Sequence, residues 1–86
     1  MNTIKTQALT ASAAVTAAAC YVLSVRSGLS NEEVTAYHGA AATAGNQILS
    51  DQSDGGDFAP LPGIYCSDGC YLKVDKGTGI IRYYLA

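Results

Sequence analysis

The stretch TIKTQALTASAAVTAAACYVLSVR, residues 3–26, contains neither Gly nor Pro and is dominated by alanine. Alanine has the highest intrinsic helix propensity, so a window this rich in it sums in favour of a helix. Apolar residues recur at Ile4, Ala8, Ala11, Val15, Ala18, Val22, Val25 and Leu29, in steps of four and three. That spacing predicts an α-helix over about residues 3–26, with a heptad-like seam for packing. The opposite face, Thr3, Gln7, Thr10, Ala14, Ala17, Tyr21 and Ser24, is small or weakly polar. Such a helix is expected to have neighbours on more than one side.

Beyond this stretch, Gly28 reads as a helix stop, and Ser30-Asn31-Glu32-Glu33 has capping-box spacing, Ser at the N-cap and Glu at the third helical position. A second helix is predicted over about 31–50, with Val34, Tyr37, Ala41, Ala44 and Ile48 on its packing face. Gly39 and Gly45 read as points of close backbone approach. Residues 51–62 combine three acids, two adjacent glycines and two prolines, the composition of a linker. From residue 63 the period changes to two: Cys70, Leu72 and Val74 alternate with polar neighbours, and Ile81, Tyr83 and Leu85 follow the same rule. Ser67-Asp68-Gly69 suits a hairpin loop with Gly in the left-handed conformation, and Lys76–Gly79 suits a second turn. The expected fold is therefore α+β: a helical packing segment over 1–50, an acidic Gly/Pro linker over 51–62, and a three-stranded antiparallel meander within 63–86.

Composition bounds the function. Of 86 residues, 14 are alanine and only 19 are Ile, Leu, Val, Met or Phe, with no Trp. Alanine removes little area from water, so a deep, water-excluding catalytic pocket is not expected, and a partner is expected to complete the fold. Five basic residues against seven acidic give a net charge of -2, and Lys5, Arg26, Lys73, Lys76 and Arg82 form no cluster. Direct nucleic-acid binding needs such a cluster to neutralise phosphates and is excluded on this ground.

Residues 8–25 form an uncharged run of 18, at the lower limit for spanning a bilayer. The same run reads in three ways: a transmembrane helix, a signal peptide cleaved near Ala17-Ala18-Ala19, or a helix buried in a protein assembly. The heptad pattern favours the last.

Cys66 and Cys70 flank the expected hairpin loop and form a candidate disulfide, with Cys20 left as a packed small side chain. Two cysteines alone do not make a zinc site. His38 has no patterned nucleophile or acid beside it, and Asp51, Asp54 and Asp57 lack the spacing of an EF-hand, so they read as a solvated acidic loop. Gly77-Thr78-Gly79 is a turn without a following helix to bind phosphate. No residue reads as catalytic, cofactor-binding or metal-ligating. Tyr65, Tyr71, Tyr83 and Tyr84 concentrate in the strand region and are a candidate partner surface, because tyrosine supplies large contact area at low entropy cost.

These readings lead to a non-enzymatic structural subunit that packs through Ala-rich helices on other protein subunits, homo- or hetero-oligomeric, as in a virion or filament. The alternative is a single-pass membrane protein with an extracytoplasmic disulfide-closed β module. The third is a small secreted effector.

Overall fold

The computed structural model describes residues 3–28, 32–52 and 55–86. Among these residues there are nine strands and no helix: β1 (Lys5–Leu9), β2 (Ala13–Thr16), β3 (Cys20–Ser27), β4 (Val34–His38), β5 (Gln47–Asp51), β6 (Asp57–Phe58), β7 (Ile64–Cys66), β8 (Cys70–Val74) and β9 (Gly79–Leu85). They form two antiparallel sheets. The larger runs β1-β9-β3-β6, with β7 also pairing with β3, and the smaller runs β2-β8-β4-β5. The sheets face each other across one core, to which the larger gives Cys20, Val22, Val25, Cys66, Ile81 and Tyr83, and the smaller gives Val34, Ala36, Leu49, Cys70, Leu72 and Val74.

Both expected helices are thereby overturned, and bulges supply much of the reason. In β3, Val22 pairs with Tyr83 and Ser24 with Arg82, so Leu23 is an extra residue. The bulge shifts the inward set from Cys20 and Val22 to Val25 and Ser27, and the step of three from Val22 to Val25 imitates a helical seam. Further bulges fall at Val15 in β2 and at Ile48 in β5, two more seam positions. Chain reversals at residues 10–12 and 17–19 separate β1, β2 and β3 without any Gly or Pro to announce them. Alanine contributes no burial to a helical seam, and helix propensity yields to tertiary pairing of the β-branched and aromatic residues between the alanines.

The expected helix-packing residues therefore part company. Val22, Val25, Val34 and Tyr37 are buried as strand residues, and Val15 and Ile48 pack partly against the core. Ala8, Ala11, Ala18, Ala41 and Ala44 are exposed. Ala41 and Ala44 lie in the loop that joins β4 to β5, entered through Gly39 at φ +105°. The spanning-helix reading also lapses, since among the described residues no helix is long and apolar enough to cross a membrane. Leu29, the capping residues Ser30 and Asn31, and Asp54 lie outside the described residues.

The meander is corrected in a different way. Its three strands exist as β7, β8 and β9, but β7 pairs with β3 in the larger sheet, β8 with β2 and β4 in the smaller, and β9 with β1 and β3 in the larger. Each three- or four-residue turn crosses between sheets and closes no hairpin. Gly69 does adopt the expected left-handed conformation, at φ +88°.

The acidic segment is also more than a linker. Asp51 is buried at the end of β5, where its carboxylate accepts from the Ser27 amide of the larger sheet at 2.7 Å. Asp57 in β6 reciprocates, accepting from the Ser50 amide of the smaller sheet at 3.1 Å. Two carboxylate–amide bonds thus close one side of the sandwich, and such charge-assisted bonds are stronger than neutral ones.

Candidate interaction face

Side chains directly opposite in antiparallel pairs share a face. On the outer face of the larger sheet this rule brings three tyrosines into one row. Tyr21 of β3 stands opposite Tyr65 of β7 on one side and Tyr84 of β9 on the other. The ring centroids of Tyr21 and Tyr65 are 5.1 Å apart and tilted, whereas those of Tyr21 and Tyr84 are 5.0 Å apart and stacked. Contacts at these separations are worth roughly 0.5–1.5 kcal/mol each beyond their area. The Tyr84 hydroxyl donates to the Pro62 carbonyl, which fixes the end of the row against the 59–63 loop. Tyr65 is 53% exposed and Leu61 of that loop 83% exposed, whereas Tyr21 and Tyr84 are half-buried, so the row is most open to solvent at Tyr65.

The same face continues along β3 and β9. Ser24 pairs with Arg82 and Arg26 with Ile80, and Phe58 of β6 stands opposite Ser24. Ser24, Arg26, Phe58, Ile80 and Arg82 line a shallow groove of about 260 Å³. Phe58 is 66% exposed. Among the described residues, no strand position on this face carries a carboxylate; Asp57 points the other way, into its bond with Ser50. A protein of net charge -2 thus presents one face with four aromatic rings and two guanidinium groups.

Of the tyrosines expected at a partner surface, Tyr65 and Tyr84 are on this face. Tyr83 is buried, because neighbouring strand residues point to opposite faces. Tyr71 is half-buried on the smaller sheet, opposite Tyr37 and Ala14. Tyr21, the centre of the row, lies in the apolar run Cys20–Leu23, where no alternation of polar and apolar residues marks an outward face.

The cysteines form a second cluster. Cys20, Cys66 and Cys70 are free and fully buried at one end of the core. Cys66 and Cys70 do not face each other across a hairpin, since they belong to different sheets. Burial pushes the Cys66 thiol up to about 11, with neighbouring Cys20 adding to the effect. Burial likewise raises Cys70, and raises Cys20 despite hydrogen bonding to Cys70 and Cys66. Tyr83 beside them is also raised, first by burial and then by Cys70 and Cys20. Among the described residues no group of three His, Cys, Asp or Glu side chains is arranged to hold a metal ion.

His38 has acquired neighbours that its sequence context did not announce. Its Nε2 accepts from the Asp68 amide at 3.2 Å, lies 3.4 Å from Ser67 Oγ, and lies 3.9 Å from the Asp68 carboxylate. A Ser-His-acid relay requires the acid on one ring nitrogen and the hydroxyl on the other. Here all three partners meet the same nitrogen, and the arrangement fastens the 67–69 crossover to β4. No protein-family model, curated protein or solved structure matches this chain.

Proposed function

We propose that the protein is a non-enzymatic structural subunit that packs on further copies of itself through the outer face of the larger sheet, within a larger assembly. The observation that carries this reading is the outward-facing Tyr65–Tyr21–Tyr84 row, exposed at Tyr65 and half-buried at Tyr21 and Tyr84. Exposed aromatic residues flanked by arginine are the composition enriched in interface cores, where charged residues other than Arg are depleted. Charge complementarity supports a second copy as the occupant. Arg82 stands on a face whose described strand positions carry no carboxylate, while exposed Glu33 and Asp75 lie together at an end of the smaller sheet, with the Asp75 amide bonded to the Glu33 carbonyl. Joining unlike surfaces in this way is heterologous, and it propagates into rings or filaments. The two sheets close a core of their own, while Phe58 and Leu61 stay exposed, so a partner covers the outer face rather than filling the core.

The secreted-effector reading is weakened by the position of its cleavage point. Ala19 lies between β2 and β3, and its carbonyl accepts from the Ala86 amide at 2.9 Å. Cleavage there would remove one strand from each sheet.

Sedimentation velocity over a concentration series tests the proposal. The wild-type chain is expected to associate by mass action, and less so in high salt, because guanidinium–carboxylate contacts are screened. The double substitution Tyr21→Ser with Tyr65→Ser is expected to remain monomeric at the same concentrations. A wild-type monomer up to about 1 mM, where even a contact worth about 4 kcal/mol is visible, overturns the reading.

A further inference from the structure

We propose that Cys20 is the shared partner of a single buried disulfide, with Cys66 and Cys70 as its two alternative mates. Cys20 opens β3 and Cys66 closes β7, and the two are direct cross-strand partners whose side chains share the inward face. Residues so placed in antiparallel strands have α-carbons about 4.5–5.5 Å apart, inside the range a disulfide requires. Cys70 opens β8 of the opposing sheet, points inward and is fully buried in the same core cluster, close enough that the thiols of Cys20 and Cys70 perturb each other's ionisation. Cys20 therefore neighbours both of the others, as the cross-strand partner of Cys66 and as a core neighbour of Cys70. A bond to Cys66 ties the short edge strand β7 to β3, whereas a bond to Cys70 ties one sheet to the other.

The oxidant is a low-molecular-weight disulfide such as glutathione disulfide. One cysteine thiolate attacks it, releasing one glutathione thiolate and leaving a mixed disulfide; the second cysteine displaces the other glutathione. The two cysteines lose two electrons and two protons to form one S–S bond, and the glutathione disulfide bond is reduced to two thiols. The attacking species is the thiolate, and burial disfavours it at all three positions. The bond consequently forms while the chain is folding, before the sheets close, and the third thiol is then sealed in the core.

Tryptic mapping separates the possibilities, because cleavage after Lys5, Arg26 and Lys73 puts Cys20 in peptide 6–26 and both other cysteines in peptide 27–73. The reduced full chain is refolded in a glutathione redox buffer, alkylated, denatured, alkylated with a second reagent and digested. The expected product is peptide 6–26 linked to peptide 27–73, with one cysteine of the latter carrying the second reagent only. Cys20→Ala refolded in the same way is expected to lack any intramolecular bridge, while Cys66→Ala and Cys70→Ala each retain one. A loop within peptide 27–73, joining Cys66 to Cys70, overturns the proposal, as does a wild-type chain with all three thiols free. The wild-type map decides the matter even if a variant fails to fold.

Discussion

Replacing Gly69 with alanine places a methyl group where the fold has no room for it. A β-carbon built on Gly69 falls 2.0 Å from the Thr16 carbonyl oxygen and 2.9 Å from the Ala17 α-carbon. Both are backbone atoms, so no side chain can rotate away. The residue also sits at φ +88°, a left-handed conformation that costs an L-residue roughly 1–2 kcal/mol. Relieving the clash demands that the 67–69 crossover move away from the end of β2, and overpacking of this kind costs a further 1–3 kcal/mol or so. The movement also weakens the bond from the Gly39 amide to the Gly69 carbonyl, now 2.9 Å. Gly69→Ala is expected to lose about 2–5 kcal/mol, a large share of the roughly 5–15 kcal/mol that a domain possesses. In urea denaturation, at about 1–3 kcal/mol per molar, the midpoint falls by on the order of 1–3 M. Gly45→Ala is the internal control, because nothing lies within 4 Å of its added β-carbon. That substitution is expected to be neutral or to stabilise by up to about 1 kcal/mol through the unfolded chain. Equal midpoints for the two variants would refute the crossover geometry.

Other consequences concern the core, the side of the sandwich and the thiols. Leu72 is fully buried in β8, and Leu72→Ala is expected to cost about 2–5 kcal/mol in the same urea assay. Asp57→Ala removes the acceptor of the Ser50 amide and is expected to cost about 1–3 kcal/mol, with Asp57→Asn recovering part of it. The reduced protein is expected to lose stability in alkali. Cys66 is raised from 9.0 to about 11, so the folded state binds more protons than the unfolded state between those values. Stability from this thiol is full below pH 9 and falls as the pH rises to about 11, each unit being worth about 1.4 kcal/mol. Denaturation midpoints of Cys66→Ala that decline as steeply as those of the wild type over this range would contradict the assignment.

How much of this was legible from the residues depends on the segment. The period of two over 70–83 is faithful, with Cys70, Leu72, Val74, Ile81 and Tyr83 all buried, and it lapses at Leu85, which is exposed at the end of β9. What those residues do not encode locally is the pairing. A three-residue turn with a left-handed glycine serves a hairpin or a crossing between sheets equally well, and the choice rests on the partners β2, β3 and β4. Those partners were concealed. Bulges at Val15, Leu23 and Ile48 break the period of two, and alanines at exposed positions fill in an apparent helical seam. The candidate face suffered accordingly. Tyr65 and Tyr84 were accessible to a strand reading, and so was the burial of Tyr83, which must oppose Tyr84. Tyr21 and Arg26 became visible only once Cys20–Ser27 was a strand.

Strand β3 sends Tyr21 outward into the aromatic row and Cys20 inward among the thiols. Backbone chemical shifts with cross-strand NOEs for residues 20–27 of the isotopically labelled protein test it most directly. Extended-strand shifts are expected throughout, with contacts of Val22 with Tyr83 and of Val25 with Ile81 and an interruption at Leu23. Helical shifts across 20–26, with sequential amide contacts and no NOE to β9, would contradict it.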